Sequence, residues 1–423
     1  MSFLLEKSLA SASRLHQVAT HAYYRNPFYR EKFMKAGVTP DQIHRPEDLS
    51  LLPFTDREEL EGDPWILLSV PKDQLAQAHL STGTSGRLPL YVFFNWEDLY
   101  VRGLMPLLSE APAARLLGIA QGEIVFNALP YEVSVTGLAI HRALQDGIGA
   151  CVVPVGKGGF YADPAKTLKL MRALGGDHLF TTPSYALHLA ELAGGSGISI
   201  PGEIRLRSLW LIGEPCSRAL RRRIEDLWGC PAFLYYGSLE CGPVGLECSM
   251  RDGYHVASNF VHVEVVPGAD VPDADADPPV GEVVVTVLWR QASPLLRFRT
   301  GDLGCWEPSA CRCGIPGPRL RLRGRAEDVV AAVEPPRFAL DIEEVLLALP
   351  GVSPWYRLKP EAGSVRVLLP GPPIEDRGSL SESIRAELHR RFGLACSVEF
   401  VPDLGYSGGK LLRVIGEQSG GGP

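Results

Sequence analysis

The chain has few of the features that mark secreted, membrane or nucleic-acid-binding proteins. Its nine cysteines among 423 residues are odd in number and irregular in spacing, which excludes a disulfide framework and leaves free thiols or a metal site. It has no run of about 18 apolar residues to cross a bilayer, and Met1 to Thr20 lacks the basic start and apolar stretch of a secretory leader. No membrane partner is expected, and a cytoplasmic location is. It also lacks a block of like charge: 42 Lys and Arg face 49 Asp and Glu, a net of −7. No basic stripe is there to track phosphates, so nucleic acid is excluded as a partner. Internal repeats are absent, and the one biased stretch, Ser419 to Pro423, reads as a disordered tail.

What is present is an ordinary globular composition, 45% hydrophobic and 22% charged, long enough for at least two packed domains. Helical spacing from Leu4 to Ala36, broken at Asn26-Pro27, predicts two helices at the start. Short apolar runs at 123–129, 150–155, 178–181, 209–212 and 232–235 alternate with helical patterns at 164–174 and 217–228. That alternation predicts an α/β core with mainly parallel sheets. Segments at 262–266, 282–288 and 304–306 predict a β-rich subdomain, joined by the acidic, proline-rich loop 271–280. After Asp328 the order helix, strand, helix, strand predicts a small α+β domain. The expected division is residues 1–327 and 328–423.

The chemistry-bearing segments come in a fixed order. Ser81-Thr82-Gly83-Thr84-Ser85-Gly86-Arg87 combines hydroxyls with glycines, whose backbone lets successive N–H groups cradle phosphate oxygens. It lacks the spacing of a Walker loop. Then come Tyr235-Tyr236-Gly237-Ser238-Leu239-Glu240, Arg297-Phe298-Arg299-Thr300-Gly301-Asp302-Leu303, Arg323-Gly324-Arg325-Ala326-Glu327-Asp328 and Gly408-Gly409-Lys410. Taken singly, Asp302, Arg325 and Lys410 fit a plain turn or a solvated surface as well as a site. Their order and spacing resemble the adenylate-forming superfamily of acyl- and aryl-CoA synthetases. The flanking segments Asn26-Pro27-Phe28-Tyr29-Arg30, Leu52-Pro53-Phe54-Thr55, Thr182-Pro183-Ser184-Tyr185, Gly213-Glu214-Pro215 and Cys311-Arg312-Cys313-Gly314 resemble the phenylacetate-CoA ligase family in particular, from about residue 10 to 415.

The resemblance implies roles. Ser81, Thr84 and Ser85 would hold the phosphates of ATP, and Glu240 would help bind Mg²⁺, as a carboxylate beside a phosphate loop can. Asp302 would accept from the ribose hydroxyls, Tyr236 and the Gly213-Glu214-Pro215 turn would pack around the adenine, and Arg325 would lie on the ribose and phosphate side. Lys410 would neutralise charge at the α-phosphate as an acid attacks to give an acyl-adenylate. The small domain would then rotate about Asp328 and admit the thiol of CoA. The activity expected is ATP-dependent activation of a small aromatic carboxylic acid, ending in AMP and a CoA thioester. A carrier-protein thiol or an amine as acceptor, or a degenerate protein that only binds nucleotide or aryl acid, stand as alternatives. The oligomeric state stays open, a homodimer included.

Cys248, His255, Cys311 and Cys313 offer three thiols and an imidazole, a set suited to a closed, structural Zn²⁺ site, with Cys241 as a substitute ligand. Three segments depart from the family pattern. Arg87-Leu88-Pro89 stands where the family usually has Lys-Pro, and Arg still binds phosphate. Val333-Glu334-Pro335-Pro336-Arg337 replaces a glycine-containing segment after the hinge and removes N–H donors, from which slow transfer to CoA is expected. In Asn127-Ala128-Leu129-Pro130-Tyr131-Glu132, Tyr131 is the expected aromatic wall of the acid pocket. Glu132 is either a solvated charge or a selector for acids bearing an amine or hydroxyl.

Overall fold

The computed structural model describes residues 2–81, 88–102, 116–158, 162–268, 271–402, 404–406, 408 and 411–415, with side chains from residue 13 onward apart from that of 102. The N-terminal helices α1 (Ser2–Arg25) and α2 (Pro27–Ala36) meet at Asn26. The buried Asn26 side chain accepts from Tyr29 N, and Pro27 fills the first helical position. A cap of this kind contributes about 1 kcal/mol. Strands β1 (Leu75–Leu80) and β2 (Tyr91–Asn95) form an antiparallel pair on either side of the phosphate-loop segment.

The core is one eleven-stranded sheet with a parallel half and an antiparallel half. The parallel half holds β3 (Ile124–Asn127), β4 (Cys151–Pro154), β5 (His178–Thr181), β6 (Ser208–Ile212) and β7 (Ala232–Ser238). Its connections carry α3 (Thr136–Arg142), α4 (Pro164–Leu174), α5 (Pro183–Gly195) and α6 (Arg218–Trp228). Strand β6 is buried at every position, as expected of a parallel strand covered on both faces. Rings such as Phe180, Trp210 and Trp228 fill the layers, and each apolar side chain of that size contributes about 1.5–3 kcal/mol when fully buried.

The antiparallel half continues through β8 (Gly242–Glu247), β9 (Tyr254–Val256), β10 (Val261–Val266), β11 (Gly281–Val287), β12 (Phe298–Glu307) and β13 (Arg319–Arg325). The expected β-rich subdomain is therefore continuous with the parallel core rather than a separate layer. Strand β12 runs through the Arg299–Leu303 motif, so Asp302 and Arg325 are cross-strand partners on β12 and β13.

Beyond β13, a hairpin of β14 (Val329–Val330) and β15 (Arg337–Phe338) leads into α7 (Ala339–Ala348). The segment 331–336 with its two prolines is the tip of that hairpin, and Val333 is buried. A three-stranded sheet of β16 (Arg357–Glu361), β17 (Ser364–Pro370) and β18 (Ala395–Val401), with α8 (Arg377–Phe392), completes this region. Helix α7 docks on the start of α6: Glu343 accepts from Ser217 N at 3.0 Å and Glu344 from Ala219 N at 2.7 Å. Carboxylates at a helix N-terminus satisfy its orphan N–H groups and favour its dipole.

Candidate active site

A cleft of about 1550 Å³ lies at the carboxyl ends of the parallel strands, walled by the antiparallel half and by the region after β13. Crevices at strand carboxyl ends are where open α/β sheets bind ligands. On one wall, the Tyr236 hydroxyl donates to Asp302 Oδ2 at 2.8 Å and Arg325 Nε lies 3.4 Å from Asp302 Oδ1. Arg325 also pairs with Glu327 at 3.1 Å. Burial, and then the Asp302 carboxylate, raises the Tyr236 pKa well above its usual value, so the phenol remains a donor. Gly301, at φ +73°, sits where β12 shifts register against β11, next to Asp302.

The same cleft holds a cluster around a residue the sequence motifs did not single out. Arg57 bonds Glu240 Oε1 at 3.2 Å, the Leu88 carbonyl at 2.9 Å and Ser81 Oγ at 3.4 Å. Its position comes from Thr55, which bridges to Phe298 through Thr55 N to Arg297 O at 2.8 Å and Arg299 N to Thr55 O at 3.0 Å. The signal in the sequence was Leu52-Pro53-Phe54-Thr55, two residues upstream. A second arginine, the fully buried Arg290, donates to the Glu240 carbonyl at 2.6 Å. Ser81 thus stands near Glu240, with Arg57 bonded to both. Thr82, Gly83, Thr84, Ser85, Gly86, Arg87 and Lys410 lie outside the described residues.

Tyr235, Gly237 and Ser238, at the end of β7, line the cleft, as does the Gly213-Glu214-Pro215 turn after β6. The Glu214 carboxylate itself points away into the protein. It accepts from Ser184 N at 3.0 Å and Ser184 Oγ at 2.7 Å, and pairs with the buried Lys157 at 3.4 Å. The side chain is almost wholly buried and anchors the turn.

The acid-pocket expectations divide. Glu132 is exposed and lines the cleft. Asn127 is fully buried behind it, and its amide donates to the Tyr131 hydroxyl at 2.7 Å and the Gly137 carbonyl at 2.8 Å. Neither Asn127 nor Tyr131 is among the lining residues; the pair braces the wall from behind. Near Glu132 the apolar lining includes Leu129, Val135, Ala139 and Ile140, and elsewhere Phe94 and Trp289. Asp328, at the start of the hairpin, is half-buried; burial, then Glu327, raises its pKa to about 6.

Outside the cleft, the ligand atoms of Cys248, His255, Cys311 and Cys313 all lie within 4.8 Å of one another. Cys248 Sγ is 3.6 Å from Cys311 Sγ, and Cys313 Sγ 3.3 Å from His255 Nε2. Two thiolates on one tetrahedral zinc stand about 3.8 Å apart, so the quartet has the right size. Met250 N and Ile315 N donate to the sulfurs of Cys248 and Cys313, as suits thiolates. Burial, and then Arg319, lowers the His255 pKa, favouring the neutral imidazole that a metal takes. Cys241 is not in this cluster; its N–H donates to Ser238 Oγ at 3.1 Å.

No family model matches the chain. It is 34% identical over 350 residues to the phenylacetate-coenzyme A ligase of Thermus thermophilus, covering 82% of this chain and 76% of that one. It is 30% identical over 439 residues to the phenylacetate-coenzyme A ligase of Escherichia coli, covering 97% and 94%. Among solved structures, 2-hydroxyisobutyryl-CoA ligase in its postadenylation state superposes with a TM-score of 0.85 at 23% identity, over 98% of this chain and 90% of that one. Fold, motif order and cleft define an adenylate-forming enzyme, an AMP-forming acid–CoA ligase that activates an acid and transfers it to CoA. Within that class, the chain belongs to the phenylacetate-CoA ligase family. Among the described residues, no helix is long and apolar enough to cross a membrane.

Proposed function

We propose that the chain activates a small aromatic carboxylic acid in the cytoplasm and that the residues around the cleft divide the work as follows. A carboxylate oxygen of the acid attacks the α-phosphorus of ATP, the bond to the bridging oxygen of the β-phosphate breaks, and pyrophosphate leaves. The thiolate of CoA then attacks the acyl carbon, the bond to the AMP oxygen breaks, and AMP leaves, the thiol proton having passed to solvent.

Asp302 takes the ribose hydroxyls, held ready by Tyr236 and Arg325. Ser81 and the loop that follows take the phosphates, with the Arg57 guanidinium, paired with Glu61 and Glu240, reaching the Ser81 hydroxyl beside them. A cleft carboxylate next to a phosphate site suits Mg²⁺, which keeps most of its other ligands from phosphate and water; Glu240, which also pairs with Arg57, would be that carboxylate. The bound ion would supply charge neutralisation. Tyr235, Tyr236 and the Gly213 turn flank the base, and Lys410 serves the first half-reaction. The apolar wall from Leu129 to Ile140 takes the ring of the acid, with Glu132 at its rim. The observation that carries this reading is that the paired Tyr236, Asp302 and Arg325 and the paired Arg57, Glu240 and Ser81 line one cleft.

An acid-dependent pyrophosphate release assay over benzoates, phenylacetates, amino- and hydroxybenzoates and heteroaryl acids, with and without CoA, tests it. Release with aromatic acids and CoA thioester formation support the reading; release with none of them overturns it. The proline-containing tip of the hairpin favours a slow second step, or a carrier-protein thiol as acceptor. Replacing Glu334-Pro335-Pro336 by a glycine-containing loop should then speed thioester formation alone.

The Cys248, His255, Cys311, Cys313 quartet would hold one zinc ion that ties the β12–β13 turn to β8 and β9. Cys311→Ser is expected to lose zinc and lower the melting temperature together. Metal analysis finding no zinc in the purified protein removes this part of the proposal.

A further inference from the structure

A second pocket, of about 670 Å³, lies beside the cysteine quartet, where the start of α6, the β8–β9 turn and the β12–β13 turn meet. All three segments belong to the large domain. They bring Arg218, Arg221, Arg222, Arg251, Arg312 and Arg319 together, and the only carboxylates that line the pocket with them are Glu225 and Asp252. In a chain of net charge −7 this is a local excess of the opposite sign.

Pairing does not neutralise that excess. Arg221 is held by the buried Glu247 at 3.0 Å, Arg222 by Glu344 at 2.8 Å and Arg251 by Glu225. The remaining carboxylate, Asp252, faces Arg321 at 2.7 Å, Arg319 at 3.3 Å and Arg218 at 3.6 Å. Arg321 has a second partner in Glu307 at 2.9 Å, which leaves Arg319 and Arg218 sharing Asp252. Arg319 is fixed further by the Asp252 and Ser309 carbonyls, whereas the Arg218 side chain is 67% exposed. Arg312 is exposed too, and among the described residues it has no hydrogen bond or ion pair. The quartet does not balance the two guanidiniums left over, since three thiolates and one zinc ion would carry a single negative charge.

The pocket shares Arg218, Arg221, Arg251 and Asp252 with the lining of the cleft, so the two are continuous. Ser81, Glu240 and Asp302 do not line it. We propose that this pocket is a second phosphate site, which takes a doubly charged phosphate group on Arg218 and Arg312, apart from the phosphates of ATP. Guanidinium forks match phosphate oxygens in geometry and charge. Two sources carry that chemistry: the 3′-phosphate of CoA, whose long arm would run toward the cleft, and free inorganic phosphate.

The test compares the full chain with the double variant Arg218→Gln, Arg312→Gln. Three readouts are taken: KM in thioester formation for CoA and for dephospho-CoA, calorimetric binding of inorganic phosphate, and acid-dependent pyrophosphate release without CoA. If CoA supplies the phosphate, the wild type should have a KM about tenfold lower for CoA than for dephospho-CoA, and the variant should lose that preference. If the anion is free, the two acceptors should behave alike, and inorganic phosphate should bind the variant about tenfold more weakly. Either result supports the site and names its source, provided that pyrophosphate release stays at the wild-type rate.

Unchanged acceptor preference together with unchanged or absent phosphate binding overturns the proposal. An equal fall in pyrophosphate release also overturns it, because the arginines would then serve the cleft itself. Should thermal melting show that the double variant does not fold, Arg218→Gln alone decides by the same readouts, with an expected change of about threefold. That substitution lies outside the Cys311-Arg312-Cys313 segment.

Discussion

The two halves of the cleft are built in opposite ways. The side carrying Tyr236, Asp302, Arg325, Arg57 and Glu240 is polar, and its groups are already paired with one another. The side from Leu129 to Ile140 is mostly apolar, with Glu132, Ser134 and Thr136 as its polar members, and Asn127 and Tyr131 lie outside the lining. Phosphate, ribose and a hard cation demand particular donors and acceptors at particular points, so few residue types serve. An apolar ring can be enclosed by many combinations of side chains of suitable volume. In the proposed reading, the polar half sets the reaction and the other half sets which acid enters it.

The largest effect that would break this division is on the polar side. Asp302→Asn removes one charged acceptor, and hydrogen bonds to charged groups contribute about 1.5–3 kcal/mol each. KM for ATP should rise about 10–100-fold, with acid preference unchanged. A parallel change in acid preference would show that the halves are not separable. On the apolar side, Ile140→Val removes one methylene from the lining. Relative kcat/KM should move about tenfold toward the bulkier of two homologous acids, with KM for ATP unaffected; steady-state kinetics on an acid series reads both.

The smallest effect concerns Asp328. Its carboxyl has a pKa of about 6 against an ordinary 3.8, so between these values the folded protein binds the proton more tightly than the unfolded chain. Ionising it costs the folded state stability as pH rises from about 4 through about 6. Asp328→Asn removes that penalty. Its melting temperature relative to wild type should therefore rise across this window and level off above it. A difference that does not vary with pH would mean that Asp328 ionises normally.

Much of the fold could be read from the chain because the parallel strands are short, continuous apolar runs; the strand at His178–Thr181 was expected with the bounds it has. Strand β13, Arg-Leu-Arg-Leu-Arg-Gly-Arg, was read only as a motif, since its alternating arginines resemble a solvated segment. They are accommodated by partners far away in sequence: Arg319 and Arg321 pair with Asp252, and Arg323 with Asp341. The same reason hid Arg57, whose partner Glu240 is 183 residues distant, and Lys157, whose partner is Glu214. By contrast, the quartet of Cys248, His255, Cys311 and Cys313 was visible from ligand type alone, and the fold brings it together. Of the three residues expected at the acid pocket, Glu132 lines the cleft while Asn127 and Tyr131 do not, because spacing cannot tell whether a side chain such as Tyr131 faces the cleft or the protein behind it.

The most direct measurement follows an oxygen atom. The chain is given ATP, CoA and an accepted aromatic acid labelled with ¹⁸O in both carboxyl oxygens, and the products of a single turnover are weighed by mass spectrometry. Attack of the carboxylate on the α-phosphorus, followed by release of AMP, leaves one labelled oxygen in the phosphate of AMP and one in the thioester carbonyl. Label in pyrophosphate or inorganic phosphate, or AMP without label alongside thioester, would contradict an acyl-adenylate and with it the account of this cleft.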